Sequence, residues 1–211
     1  MIIQSLKPLA IALMLALLPL SVSTVSAGSD NDNHHHNHAF PPPPLVGVNK
    51  YKYTVGDRGP GGGFIFFVDY YNQYPGFTYL EAAPTGIAPV VWCNLTETSI
   101  PAVAGWSAKG VGKGQANTTA MLGVCTSGAA NEADLYLTRT KSDWFLPSLG
   151  EAKLMYNNLL EAGVGNFESD VYWSSTEFGS NFAWLQNFVN GDQVHVGNKG
   201  DTFGVRAVRA F

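Results

Sequence analysis

Short apolar runs set between Gly, Asn and Asp turns dominate the last forty residues or so of the chain. Four such runs follow one another at 172–175, 183–188, 193–197 and 205–209, a rhythm that predicts an antiparallel meander. Alternation assigns the faces. Trp184, Gln186 and Phe188 share one side, and Ala183, Leu185 and Asn187 the other. Val194 and Val196 are expected to point together, away from His195. Phe64–Val68 has a different pattern. It is apolar at every position, which predicts a strand covered on both faces. The glycine-rich run before it, 56–63, lacks the Gly-Lys-Ser/Thr of a phosphate loop and leads into a strand instead of joining a strand to a helix. It reads as a tight entry to that strand. A polar loop over 69–78 leads to a return strand at 79–83, stopped by Pro84.

Helical periodicity occupies the middle of the chain. Over 117–125, Ala120, Met121, Val124 and Cys125 form one stripe, with Asn117 as N-cap. Over 129–137, Ala130, Ala133 and Leu137 are expected to face inward. The strongest signal is Ser148-Leu149-Gly150-Glu151, a capping box. Leu154, Met155, Leu159 and Ala162 follow on one face, and Gly163 is placed as the stop. The stretch 94–114 has no period and carries Trp106. Long loops of this kind on a rigid scaffold often hold binding residues.

The N-terminal part changes the picture of location. Residues 1–27 have a single n-region charge at Lys7, an apolar run and a Val25-Ser26-Ala27 cleavage site, so a secretory signal is expected. Residues 28–52 hold His34, His35, His36, His38 and Pro41 to Pro44 and read as a disordered His/Pro-rich linker. The folded domain is expected over 53–211. The protein is thus expected to be secreted, periplasmic or at the cell surface, with no membrane insertion after signal removal. The net charge of −4 becomes one unit more negative once Lys7 leaves, which argues against non-specific nucleic-acid binding. An even cysteine count in an exported chain favours one disulfide between Cys93 and Cys125. Two buried free thiols are the rival reading.

Trp144-Phe145-Leu146-Pro147-Ser148 with Glu151 and Leu154, Tyr172-Trp173-Ser174-Ser175-Thr176-Glu177, Ala183-Trp184 and Val205-Arg206-Ala207-Val208-Arg209 carry a family resemblance. So do 56–66 and 79–84. Over about 53–211 the sequence resembles the C-terminal domain family of the Legionella collagen-like (Lcl) adhesin. The resemblance implies an α+β, C-type-lectin-like fold with antiparallel sheets, two main helices and long loops. It also implies adhesion through a glycan; the named adhesin binds sulfated glycans and trimerises through a collagen stalk. This chain has no Gly-X-Y repeat. The fold implied is also similar to that of formylglycine-generating enzymes, whose paired late cysteines are absent here. The Glu-Pro-Asn and Trp-Asn-Asp motifs of calcium-dependent lectins are absent too.

The expected function is therefore a non-catalytic binding or adhesion module for a surface glycan or extracellular protein. The candidate ligand-binding residues are Trp106, Glu177, Asn181, Trp184, Asn190, Asp192, Lys199 and Arg206. The tryptophans offer apolar faces with a polar tip, although a Trp in an alternating strand, such as Trp173, is more often core. Asn190, Asp192 and Asp201 could lend oxygens to Ca²⁺; no other cofactor is expected, and no metal or catalytic residue is assigned. Either Arg206 or Arg209 is expected to pair with a carboxylate such as Glu177 or Asp170. A glycan hydrolase using Glu168 and Asp170 is the enzymatic alternative. A structural surface protein without a small ligand is the other.

Overall fold

The computed structural model of the chain describes residues 50–168 and 170–211. The expected signal, 1–27, and all but the last three residues of the expected linker lie outside the described residues. β1, Phe64–Val68, and β2, Tyr79–Ala82, form an antiparallel hairpin; β3 is Ile87–Val90. A 3₁₀ turn at Pro101–Val103 leads to α1, Trp106–Lys109, then α2, Gly114–Leu122, α3, Ala129–Asp134, and α4, Leu149–Met155. The last continues into a π-helical turn, Tyr156–Leu160. β4, Val171–Glu177, β5, Phe182–Asn187, β6, Gln193–Asn198, β7, Phe203–Val205, and β8, Val208–Ala210, complete the chain.

Two sheets result, in the orders β1-β2-β8 and β3-β7-β4-β5-β6. β4 and β7 pair in parallel and the remaining pairs are antiparallel. The domain is therefore α+β with antiparallel and mixed sheets. Only β4-β5-β6 is the expected meander. The expected strand over 205–209 is two strands, because Arg206 and Ala207 leave the ladder between β7 and β8. Arg206 turns inward and donates to the carbonyls of Ala83, Gly165 and Asn166. β8 then joins β2. The opening hairpin is thus tied to the last strand of the chain and not to the meander.

The central strands are buried on both sides, as their opposite-face residues show. Trp173, Ala183 and Leu185 pack with Trp92, Met121, Ala130, Ala133 and Val205 in one core. Tyr172 and Phe188 pack with β1, α4 and Val208 in the second. A third, smaller cluster joins Ile65, Val68 and Tyr79 to Tyr51, Tyr53 and Phe211. β1 is buried at every position, as its pattern predicts. The glycines before it permit a close approach: a Cβ on Gly63 would collide with the Ala82 carbonyl oxygen. β3 escaped the sequence pattern because it has four residues, with Pro89 inside. Proline is tolerated there because β3 is an edge strand.

Several helix expectations need correction. α2 starts at Gly114, so Asn117 is not an N-cap. It is buried inside the helix, where its amide donates to Ala108 O at 2.8 Å and Ser175 Oγ at 3.1 Å. α3 ends at Asp134, which leaves Leu137 exposed. Ala162 is also exposed, since the π-helical turn ends before it. Among the described residues, four short α-helices stand where two main ones were expected. The excursion over 94–114 is not wholly irregular, since it contains the 3₁₀ turn and α1. A register shift between β5 and β6 separates Val194, half-buried, from Val196, which is exposed. The Ser148–Glu151 capping box forms as the sequence predicts.

Cys93 and Cys125 are disulfide-bonded across a sequence separation of 32. The bond ties the segment after β3 to the end of α2. Replacing both cysteines with alanine is expected to cost about 4 kcal/mol by the chain-entropy estimate. Chemical denaturation under non-reducing conditions measures it.

Glu151 is buried, and burial pushes its carboxyl up to about 7 against the opposing pull of N–H donors from Ser148, Gly114 and Gly112. The folded chain therefore holds this proton more tightly than the unfolded chain. The associated stabilisation is complete below the ordinary value of 4.5 and is lost as pH rises to about 7. Denaturation midpoints are expected to fall over that window, and Glu151→Gln is expected to flatten the fall.

Candidate functional site

Trp106 opens α1 and is 86% exposed. Lys109 lies one turn later, a spacing that places both on one helix face. Its Nζ is 4.4 Å from the Trp106 ring centroid and 3.7 Å from that of Trp184. Trp184 stands half-buried on β5. The Phe178 ring, in the β4–β5 turn, meets it edge-on at 5.6 Å. His195 of β6 lies 4.5 Å from Phe178 and 5.2 Å from Trp184, ring to ring. Trp106, Lys109, Trp184, Phe178 and His195 thus form one partly exposed cluster, in which the Lys109 ammonium links the Trp106 indole to the other three rings. Partial burial there lowers the Lys109 pKa.

A four-residue helix does not hold itself in place. Here the surrounding structure does. Ala108 O accepts from Asn117 Nδ2 and Thr176 Oγ1. Gly110 O accepts from Ser148 Oγ at 2.8 Å. N-terminal to α1, the Glu177 carboxylate accepts from Ile100 N and Ser99 Oγ, both at 2.9 Å. C-terminal to it, Glu151 Oε1 accepts from Gly112 N at 2.8 Å and Gly114 N at 3.3 Å. The Glu151 carboxylate fills the space a Cβ on Gly114 would need. The platform segment is thus pinned by a buried glutamate on each side.

The structure brings Trp106 and Trp184 together through Lys109, which the sequence reading did not single out. Glu177 and Lys199 also come together, but as a fully buried ion pair and not as a ligand-facing one. Lys199 Nζ also donates to Thr98 O at 2.8 Å and lies over the Trp92 ring. Burial lowers its pKa, and Glu177 pulls it back up. Asn181 sits in the β4–β5 turn, where its Oδ1 accepts from Ser180 Oγ and its carbonyl from Lys199 N. Asn190 and Asp192 lie in the β5–β6 turn, away from the tryptophans in sequence and in pairing, and bond each other at 2.7 Å. Among the described residues, no group of three or more His, Cys, Asp or Glu converges as a metal site would require.

Arg206 is buried and makes no ion pair with Glu177 or Asp170, as had been expected of it or of Arg209. Arg209 instead pairs with Glu81 and Asp143. Trp173 is core, its indole N–H donating to Val90 O. Phe178 and His195 were missed because cross-strand neighbours of Trp184 cannot be named without the register. The Trp106–Lys109 spacing was a readable signal, hidden inside a stretch with no helical period.

No family model matches this chain, and no curated protein matches it. Among solved structures it is similar to a fimbrial protein from Bacteroides ovatus ATCC 8483. The two share 16% identity with a TM-score of 0.46, over 66% of this chain and 37% of that one. The chain therefore spans well under half the length of that protein.

Removing one partner of a buried ion pair leaves the other charge uncompensated. Glu177→Ala is expected to cost about 3–5 kcal/mol in urea denaturation. Replacing the pair together, Glu177→Gln with Lys199→Met, is expected to cost less than the single change.

Proposed function

We propose that this domain is an exported, non-catalytic binding module that recognises a surface glycan on the Trp106–Lys109–Trp184 platform. The observation that carries the reading is an indole 86% exposed to solvent, held by a braced segment beside a second indole. Sugar rings present flat C–H faces that stack on indoles, while the ammonium and indole N–H groups supply donors to hydroxyls. Clustered exposed aromatics of this kind mark interaction surfaces. Membership of the Lcl C-terminal family and a C-type-lectin-like fold belong to the same reading. So does a secreted, periplasmic or cell-surface location, supported by the disulfide. No helix among the described residues is long and apolar enough to cross a membrane. A second reading, a glycan hydrolase, draws on Glu168 and Asp170 lining one cavity. Release of new reducing ends from a bound polysaccharide would favour it.

An array of neutral and sulfated glycans probed with the purified chain tests the proposal. A hit is expected, and Trp184→Ala or Trp106→Ala is expected to weaken it at least about tenfold, a change of about 1.4 kcal/mol. Silence across the array, or unchanged binding by both variants, contradicts it.

A further inference from the structure

A second site lies at the other end of β4 from the platform. The segment 84–89, with Asn166, Glu168 and Asp170, lines a cavity of about 420 Å³ shared with Tyr172, Gly204 and Arg206. That volume falls in the range of small-ligand pockets, roughly 300–1,000 Å³, and accommodates a single sugar ring. Two features of its lining are unresolved within the chain. Arg206 is 1% exposed. Its Nη1 and Nη2 donate to the carbonyls of Ala83, Gly165 and Asn166, yet its Nε–H is buried with no acceptor. A buried donor left without a partner is destabilising, so an acceptor brought to it is favoured. Glu168 and Asp170 line the same cavity, and neither forms an ion pair among the described residues. Asp170 Oδ1 accepts from Val171 N at 2.7 Å.

The Tyr172 hydroxyl accepts from Glu168 N at 3.3 Å. Burial raises its pKa, so it keeps a proton to donate. The lining thus presents one guanidinium N–H without an acceptor, one phenol donor, and two carboxylates against the single positive charge of Arg206. Their charges sum to a deficit of one positive charge. A neutral sugar would supply hydroxyl acceptors but leave that deficit. An anion would be repelled by the two carboxylates. A hydroxylated ring carrying an ammonium meets both demands.

We propose that this cavity binds an amino sugar with a free ammonium, its nitrogen toward Glu168 and Asp170 and a ring or hydroxyl oxygen toward Arg206 and Tyr172. This site is independent of the aromatic platform, and either can fail without the other.

The test is an amide and indole NMR titration of the full chain with D-glucosamine, N-acetylglucosamine and glucose in parallel. Glucosamine is expected to shift the amides of Gly86 and Gly204, saturating in the millimolar range. N-acetylglucosamine, which lacks the charge, and glucose are expected to bind at least about tenfold more weakly. Glu168→Gln combined with Asp170→Asn changes side chains that are not fully buried and is expected to weaken glucosamine at least about tenfold. Glucosamine-induced shifts confined to the Trp106 and Trp184 indole protons would assign the sugar to the platform and overturn the cavity site. No shift at all, equal binding of glucose, or an unaffected double variant would also overturn it.

Discussion

A glutamate withdrawn from water needs hydrogen-bond donors around it, and three glutamates in this fold find them in loop backbones. Glu81 accepts from Gly61 N and Gly63 N and pairs with Arg209. Glu151 accepts from Gly112 N, Gly114 N and Ser148 N. Glu177 accepts from Ile100 N and Ser99 Oγ and pairs with Lys199. Each carboxylate lies on a strand or helix and reaches a segment that has little regular structure of its own. A buried carboxylate and an irregular backbone are each costly alone, and together they satisfy one another. This is why the long stretch between β3 and α2 can be short of regular structure and still have a fixed place.

The same arrangement sets where binding chemistry can sit. The sheet's central strands are covered on both faces by two apolar cores, so their middles are closed to a ligand. What remains open is the periphery, where side chains leave the core. Trp106 and Lys109 reach that periphery on a segment braced by Glu177 on one side and Glu151 on the other. Trp184 meets them from β5. Anchoring before binding limits the entropy lost when a ligand arrives, which would suit the proposed binding surface.

Features set by neighbouring residues were legible in the sequence. The Ser148–Glu151 capping box is contained within four positions, and β1 announces its burial by five apolar residues in a row. The cysteine pair was readable because two cysteines in a chain expected to be exported have few alternatives. Features set by distant partners were not legible. Glu177 and Lys199 are 22 residues apart; both were ligand-binding candidates, and nothing in the sequence paired them with each other. Arg206 bonds carbonyls as far as 123 residues away, and its inward turn split a strand that local alternation had drawn as one. The platform itself was half readable. Trp106 and Trp184 were picked as aromatic candidates and Lys109 was within reach of Trp106 by spacing, but Phe178 and His195 join them only through tertiary placement.

The central claim is that buried glutamates fix the segment carrying the platform before any ligand is present. Hydrogen–deuterium exchange of the ligand-free chain, read at the amides of Ile100, Gly112 and Gly114, tests it most directly. Those amides are predicted to exchange as slowly as the amides of β4 and β5. Exchange at the rate of an unprotected loop, with β4 and β5 still protected, would contradict the account.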